Sequence, residues 1–331
     1  IIGANIMSKQ FIILTTIGPA LNNKELLNEM IKAGSTHLRF NGAHLNPDQL
    51  KLVLKQFADC KAYKVLDLPG NKIRTNNIFE PITFSKGDKI QINDYNINYG
   101  KIIEQLKAGM EFTMNDSLYH FKIMEKTDNM IIVQASNSGQ ILNNKGIHFT
   151  GIDTDKIPLL LEKDRELIKT AVESGIDFLN LSFVRDTKDI FEARKIIESF
   201  GHPEVKFMVK IETKKCMENL EQVLNEENIF VVDRGDLSSE IGLMNLPEAL
   251  IKILKTAKLK NKTICFATQF LTSMVTNSVP LIAELNDLYN VIKSGIDGIQ
   301  LSEETAIGKY PLKCVDIITK MREKIYNEKK R

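Results

Sequence analysis

Apolar residues along this chain fall into short runs separated by longer amphipathic stretches. Eight runs read as strands: 11–16, 37–41, 64–68, 178–183, 206–211, 229–233, 263–267 and 298–301. Between most of them apolar positions recur at helical spacing, over 23–33, 47–58, 162–174, 187–200, 214–225, 247–260, 281–293 and 311–326. Strand and helix in alternation predict a parallel sheet with helices outside it. Eight such repeats favour a closed (β/α)8 barrel, a TIM barrel, over an open sheet. One phrase recurs three times, at 32–40, 173–182 and 293–302, with Gly34, Gly175 or Gly295 between the helical pattern and the strand. Glycine accepts the left-handed cap conformation, so each phrase is a helix stop followed at once by a strand.

One interval breaks the rhythm. From 76 to 151 the only helical pattern is 103–108, and short alternating runs (89–92, 121–124, 129–135) sit among turn residues such as Asn115-Asp116 and Asn143-Asn144. This predicts a small all-β domain, residues 76–151, inserted after the third strand of a barrel made by 1–75 and 152–331. Loops that follow barrel strands lie at the catalytic rim, so an insertion there can act as a lid.

The strands also end in an unusual way. Val209-Lys210-Ile211-Glu212 closes an apolar run with a cation and a carboxylate two apart. In a strand those two share a face. Ile229–Val232 likewise runs into Asp233-Arg234-Gly235-Asp236. Arg39 and Asn41 end the second strand, Asp67 the third with Lys72 and Arg74 just beyond, Ser182 and Arg185 the fourth, Thr268 the seventh, and Ser302 and Glu304 the eighth. In a barrel these ends converge on one mouth. Basic groups, carboxylates and hydroxyls together suit a phosphorylated anion held with a divalent metal: arginines grip phosphate, carboxylates hold Mg²⁺, and a lysine offsets charge on a transferring phosphoryl group. Each residue also has a plainer reading. Arg74 and Arg185 can pair with rim acids, Asp67 can be a cap, Ser182 and Ser302 helix N-caps, Thr268 a core hydroxyl bonded to backbone, His44 structural, and Lys210 with Glu212 a structural ion pair. Polar residues at six or seven strand ends jointly favour the site.

Composition narrows the classes. The 331 residues carry a net charge of +2 with acids and bases interspersed, which argues against a phosphate-backbone binder, so no nucleic-acid partner is expected. The basic tail 327–331 reads as a solvated helix end. Four cysteines without metal-type spacing fit a reducing compartment. No apolar run approaches the ~20 residues of a membrane span. Residues 1–6 lack a basic n-region, and Met7 reads as the natural start. A cytoplasmic protein is expected.

Taken in order, these residues resemble the pyruvate kinase family over nearly the whole chain. Thr16-Ile17-Gly18-Pro19-Ala20 is similar to its T-I-G-P-A/S signature, and Leu38–His44 resembles M-R-L-N-F-S-H. Residues 66–75 resemble L-D-T-K-G-P-E-I-R-T, and 182–185 its S-F-[IV]-R strand. Val209–Glu212, Arg234–Leu237, Ala267-Thr268-Gln269 and Leu301–Ala306 resemble its remaining core motifs. Lys145-Gly146-Ile147 resembles the K-G-V that closes its lid, and the family's C-terminal effector domain has no counterpart in the sequence. The resemblance implies phosphoryl transfer between phosphoenolpyruvate and ADP, yielding pyruvate and ATP, with Mg²⁺ or Mn²⁺. It implies Lys210, Thr268, Ser302 and Arg39 as catalytic, Lys210 stabilising the phosphoryl group and Thr268 and Ser302 in the relay that protonates the enolpyruvate. Glu212 and Asp236 would hold the metal. Arg234, Gly235 and Asp236, through backbone amides at a helix N-terminus, would bind the substrate carboxylate, with Ser182 and Thr268 beside it. Arg39, Asn41, His44, Arg74 and Lys145 would face the nucleotide and its phosphates. Asn41, Asp67 and Lys72 would line the internal cation position.

Departures from the family pattern sharpen the reading. Ala43 replaces a serine that ligates potassium, and Leu68 and Lys72 replace threonine and glutamate, as in a potassium-independent branch where a lysine ammonium takes the cation's role. No K⁺ requirement is therefore expected. Asp233 replaces alanine beside the amides that receive the carboxylate, Ser238-Ser239 replaces Gly-Val or Gly-Ile, Glu303 replaces glycine, and Pro69, Asn71 and Ile307 replace Lys, Pro and Lys. The drift at Asp233, Glu303 and Pro69 favours one alternative, a barrel enzyme of the same type with another acceptor or acid; a second alternative, a catalytically inactive binding or regulatory homologue, is opposed by the joint retention of Lys210, Glu212, Asp236, Thr268 and Arg39. A homodimer through barrel helices is the expected assembly, and glycolysis the expected context.

Overall fold

Each predicted helix stop forms where a glycine takes a positive φ, at Gly175 (+75°) and Gly295 (+88°) among others, and a strand starts within three residues. The computed structural model describes residues 10–21, 24–115 and 118–328. Met7, residue 23 at the expected start of the first helix, Asp116 of the expected turn, and 329–331 of the tail lie outside the described residues. Two compact units emerge, residues 1–70 with 162–331, and 71–161.

The first unit is a closed eight-stranded parallel barrel with helices around it. Its strands are β1 (Ile12–Thr16), β2 (His37–Asn41), β3 (Tyr63–Asp67), β4 (Phe178–Leu181), β5 (Lys206–Ile211), β6 (Ile229–Asp233), β7 (Thr263–Ala267) and β8 (Gly298–Leu301). β8 closes onto β1 with Ile12 opposite Gly298 and Thr15 opposite Leu301. Side chains two apart on a strand share a face. The inner core is Ile12, Leu14, Val65, Phe178, Met208, Val231, Cys265 and Ala267. One step further along the same faces stand Thr16, Asp67, Asn180, Lys210 and Asp233, all buried. The barrel interior thus turns from apolar to polar toward the strand C-termini.

Four expectations need correction. β4 ends at Leu181 rather than 183, because Phe183 takes φ +58° and points its N–H out of the ladder. The helix expected over 214–225 is two, Lys214–Glu218 and Leu220–Val223, broken at Asn219, whose side-chain amide donates to the Arg185 carbonyl at 3.2 Å. The apolar pattern placed no helix over 234–241, yet Arg234–Ile241 is helical directly after β6, as the family resemblance implied. The pattern at 103–108 is a 3-10 run, Gly100–Gln105, stopped before Gly109, which has φ +90°.

The second unit is all β. Strands Ile147–Phe149, Glu111–Met114, Tyr119–Lys126, Met130–Ala135 and Lys89–Asn93 form one antiparallel sheet in that spatial order, and Ile82–Phe84 pairs with Gly139–Ile141. Phe121 and Phe149 pack on Phe112 at 5.3 and 4.8 Å between ring centroids. Its core reaches Ile73 and Ile157, outside 76–151. Among the described residues no helix is long and apolar enough to cross a membrane.

Candidate active site

Lys210, on the last turn of the pleat in β5, reaches two acids. Its Nζ lies 2.7 Å from Glu212 Oε2 and 3.1 Å from Asp233 Oδ2. The other oxygen of Glu212 accepts the Phe183 N–H at 2.7 Å, which is why Phe183 adopts a left-handed backbone. Asp233 Oδ1 accepts the Asp236 N–H at 3.3 Å and so caps the helix Arg234–Ile241. Carboxylate oxygens of Glu212, Asp233 and Asp236 come within 4.8 Å of one another.

Charge in this cluster is unevenly matched. Burial opposes the Lys210 ammonium, but the summed fields of Glu212, Asp233, Asp67 and Asp236 outweigh it and hold its pKa well above the ordinary lysine value. Burial also opposes ionisation of Asp233, yet Lys210 and the Asp236 N–H keep its pKa below the usual aspartate value. Glu212 is the group left under-compensated: burial, with Asp236 and Asp233 adding to it against Lys210, pushes its pKa up to about 8. With Glu212 ionised, one ammonium faces three carboxylates and negative charge is in surplus. An all-oxygen carboxylate set of this kind fits a hard divalent cation such as Mg²⁺ or Mn²⁺.

Arg39 and Asp67, expected at different subsites, form one buried pair. Arg39 Nε and Nη2 lie 2.6 and 2.5 Å from Asp67 Oδ2, and Nη1 donates to Thr16 Oγ1 at 2.8 Å. Ser182 Oγ donates to Asp67 Oδ1 at 3.4 Å. These contacts engage three of the five guanidinium N–H donors and leave the others for an anion.

Thr268 sits just beyond β7 at φ +66°, costly for a β-branched residue. Four contacts hold it there. Its hydroxyl donates to the Ala267 carbonyl at 2.7 Å and accepts the Gly235 N–H at 2.9 Å, and its carbonyl accepts Arg234 Nε and Nη2 at 3.2 and 2.7 Å. The Arg234 guanidinium also reaches Asp287 at 2.8 Å and stacks over Phe270 at 3.9 Å, so its side chain positions Thr268. Ser302 follows β8, and its N–H donates to Glu304 Oε2 at 2.7 Å. Asn41 accepts the Ala43 N–H at 3.2 Å at the start of the turn Gly42–His44, where His44 is exposed. Arg185 is clamped on Asp189 at 2.6 and 2.9 Å, the plain rim pairing.

Lys72, Arg74 and Lys145 belong to the second unit. There Arg74 bridges to Gly146 and Nη1 donates to the Asn144 carbonyl at 3.5 Å, the Lys145 N–H donates to Thr75 Oγ1 at 2.7 Å, and the Lys72 side chain passes close to Gly146.

Sequence reasoning missed three positioning residues. Asp233 as partner of Lys210 was legible as an N-cap signal, Asp three residues before Asp236. Thr16 under Arg39 and Asp287 behind Arg234 left no local signal, because each contact joins residues at least 23 apart.

Comparison with known proteins points one way. A family model described as pyruvate kinase, barrel domain, matches residues 8–315. A pyruvate kinase of Borreliella burgdorferi is 32% identical over 98% of this chain and 70% of its own length. One from Clostridium perfringens is 31% identical over 93% of the chain and 69% of itself, and one from Methanocaldococcus jannaschii 34% identical over 95% and 69%.

Proposed function

The chain belongs to the pyruvate kinase family of phosphotransferase enzymes, and from that membership we propose that it moves the phosphoryl group of phosphoenolpyruvate to ADP with Mg²⁺. The observation that carries this reading is the Lys210 ammonium set between Glu212 and Asp233, with the Asp236 carboxylate close by. A fixed cation among acids is what a phosphoryl group needs as charge spreads over its oxygens.

In this scheme Glu212 and Asp236 hold the divalent ion, which supplies charge neutralisation to the phosphate ester when bound. Lys210 faces the transferring group. The N–H groups of Gly235 and Asp236 receive the substrate carboxylate, with Ser182 and Thr268 alongside. Arg39, already anchored by Asp67, offers its remaining donors to phosphate, and Arg74, Lys145, Asn41 and His44 take the nucleotide side. Thr268 and Ser302 serve the proton relay to the enolpyruvate carbon. Lys72 with Asp67 stands in for the monovalent cation, so K⁺ is not required. The same reading places a homodimer through barrel helices in the cytoplasm, in glycolysis. The homodimer is supported by the apolar exposure of Leu243, Met244, Ile251 and Leu259 at 63–89%.

Pyruvate release from phosphoenolpyruvate with ADP and Mg²⁺, with Lys210→Met as control, tests the proposal. Turnover lost in the variant is the expected result; turnover unaffected by it would discard the assignment. A second reading, another acid or acceptor on the same barrel, is favoured by one observation, the carboxylate of Asp233 at the amides. A reaction that proceeds without nucleotide, or with a different acid in place of phosphoenolpyruvate, would select it.

A further inference from the structure

Asp233 already engages the donors that a substrate acid would use. In the function proposed above, an incoming carboxylate meets the Gly235 and Asp236 N–H groups close to the Lys210 ammonium. In this chain each of these is answered from within. The Gly235 N–H donates to Thr268 Oγ1 at 2.9 Å, the Asp236 N–H to Asp233 Oδ1 at 3.3 Å, and Lys210 Nζ lies 3.1 Å from Asp233 Oδ2. A second carboxylate either displaces Asp233 or sits against a like charge. Asp233 and Lys210 are buried, so salt and water screen that repulsion poorly. The backbone of Asp233 is fixed as the last residue of β6, in register with Ala267 of β7. Its side chain is 8% exposed and cannot leave without uncapping the helix and giving up one of the two acid contacts of Lys210.

We propose that Asp233 is a specificity-determining residue, an internal competitor that occupies the carboxylate subsite and raises the concentration of phosphoenolpyruvate needed to fill it. This rests on the functional reading above. The competition falls mainly on the acid group of the ligand, which needs the Asp236 N–H that Asp233 already holds, whereas phosphate at Lys210 meets only the charge of Asp233. It makes the acid group, an asset where an alanine stands, a handicap here.

Calorimetric titration with phosphoenolpyruvate and with oxalate, in the presence of Mn²⁺, tests it on the wild type, Asp233→Ala and Asp233→Asn, alongside inorganic phosphate. Asp233→Ala frees the Asp236 amide and removes the charge. Asp233→Asn removes the charge while keeping a capping oxygen, so a folded variant is secured. Expected is a roughly tenfold to hundredfold tighter binding of both acids to Asp233→Ala. Asp233→Asn should show a smaller gain, KM for phosphoenolpyruvate should fall in parallel, and phosphate affinity should rise by a smaller factor than acid affinity in the same variant. Unchanged or weaker acid binding in both folded variants overturns the inference. If the wild type binds and turns over phosphoenolpyruvate as well as the variants do, only this inference falls. If none of the three binds or turns over phosphoenolpyruvate, the functional reading fails and takes the inference with it.

Discussion

Replacing Lys210 by methionine should destabilise the fold by an amount that depends on pH. The variant leaves Glu212, with a fully buried side chain, and Asp233, 8% exposed, without their common cation. At an effective dielectric of about 20, separations of 2.7 and 3.1 Å correspond to gross attractions of about 6 and about 5 kcal/mol. Methionine avoids the cost of burying an ammonium, several kcal/mol, so the net loss above pH 8 is about 3–5 kcal/mol. Below that range a proton on Glu212 does part of the work of the missing cation. Its pKa is already about 8 with Lys210 present, and removing Lys210 pushes it higher. Denaturant unfolding of wild type and variant at pH 6 and pH 9, without metal, reads both effects. The deficit should be clearly larger at pH 9 and shrink when Mn²⁺ is added at that pH. A deficit that is absent, or equal at the two pH values, would refute the picture of acids that depend on one lysine.

Three further outcomes follow from other residues. His37 is buried against Tyr63 and Phe178, and burial pushes its pKa down to about 4. The unfolded chain protonates it near 6.5, so its stabilising share is complete above that pH and is lost as pH falls toward 4, up to about 3 kcal/mol; His37→Phe should flatten the stability profile between these values, and an unchanged slope would contradict the assignment. Gln300 and Asn180 lie inside the barrel, and all their amide atoms lack hydrogen-bond partners; Gln300→Met should raise unfolding stability by about 1–3 kcal/mol, and a loss instead would show that the amide is bonded to buried water. In the coupled assay, wild-type turnover should not respond to K⁺, while Lys72→Glu should become K⁺-responsive; strong K⁺ activation of the wild type would reject the substitution of an ammonium for the cation.

The barrel was readable because its strands are short apolar runs bounded by helix-stopping glycines, so β2, β5, β6, β7 and β8 fall at the expected residues and the others shift by at most two. The strands Ile82–Phe84, Glu111–Met114, Gly139–Ile141 and Ile147–Phe149 escaped notice because three or four residues hold too little alternation to register as a period. The helix Arg234–Ile241 showed only through the family resemblance and not through the apolar pattern. Its first turn is Arg-Gly-Asp, and its start is set by the Asp233 cap rather than by an apolar stripe. At the site, the sequence placed Lys210 and Glu212 side by side through strand periodicity alone. It could not show that Asp233 turns toward them, since that contact spans two strands, or that Arg39 and Asp67 are one pair, since nothing local couples residues 28 apart.

Arg234 has consequences beyond the mouth of the barrel. One side of its guanidinium holds the carbonyl of the left-handed Thr268; the other holds Asp287, a carboxylate 41% open to solvent on the helix Ile282–Lys293. Dissolved ions reach that carboxylate and loosen its grip. The left-handed turn at Thr268 is therefore linked to ionic strength through a single side chain, from a carboxylate outside the mouth.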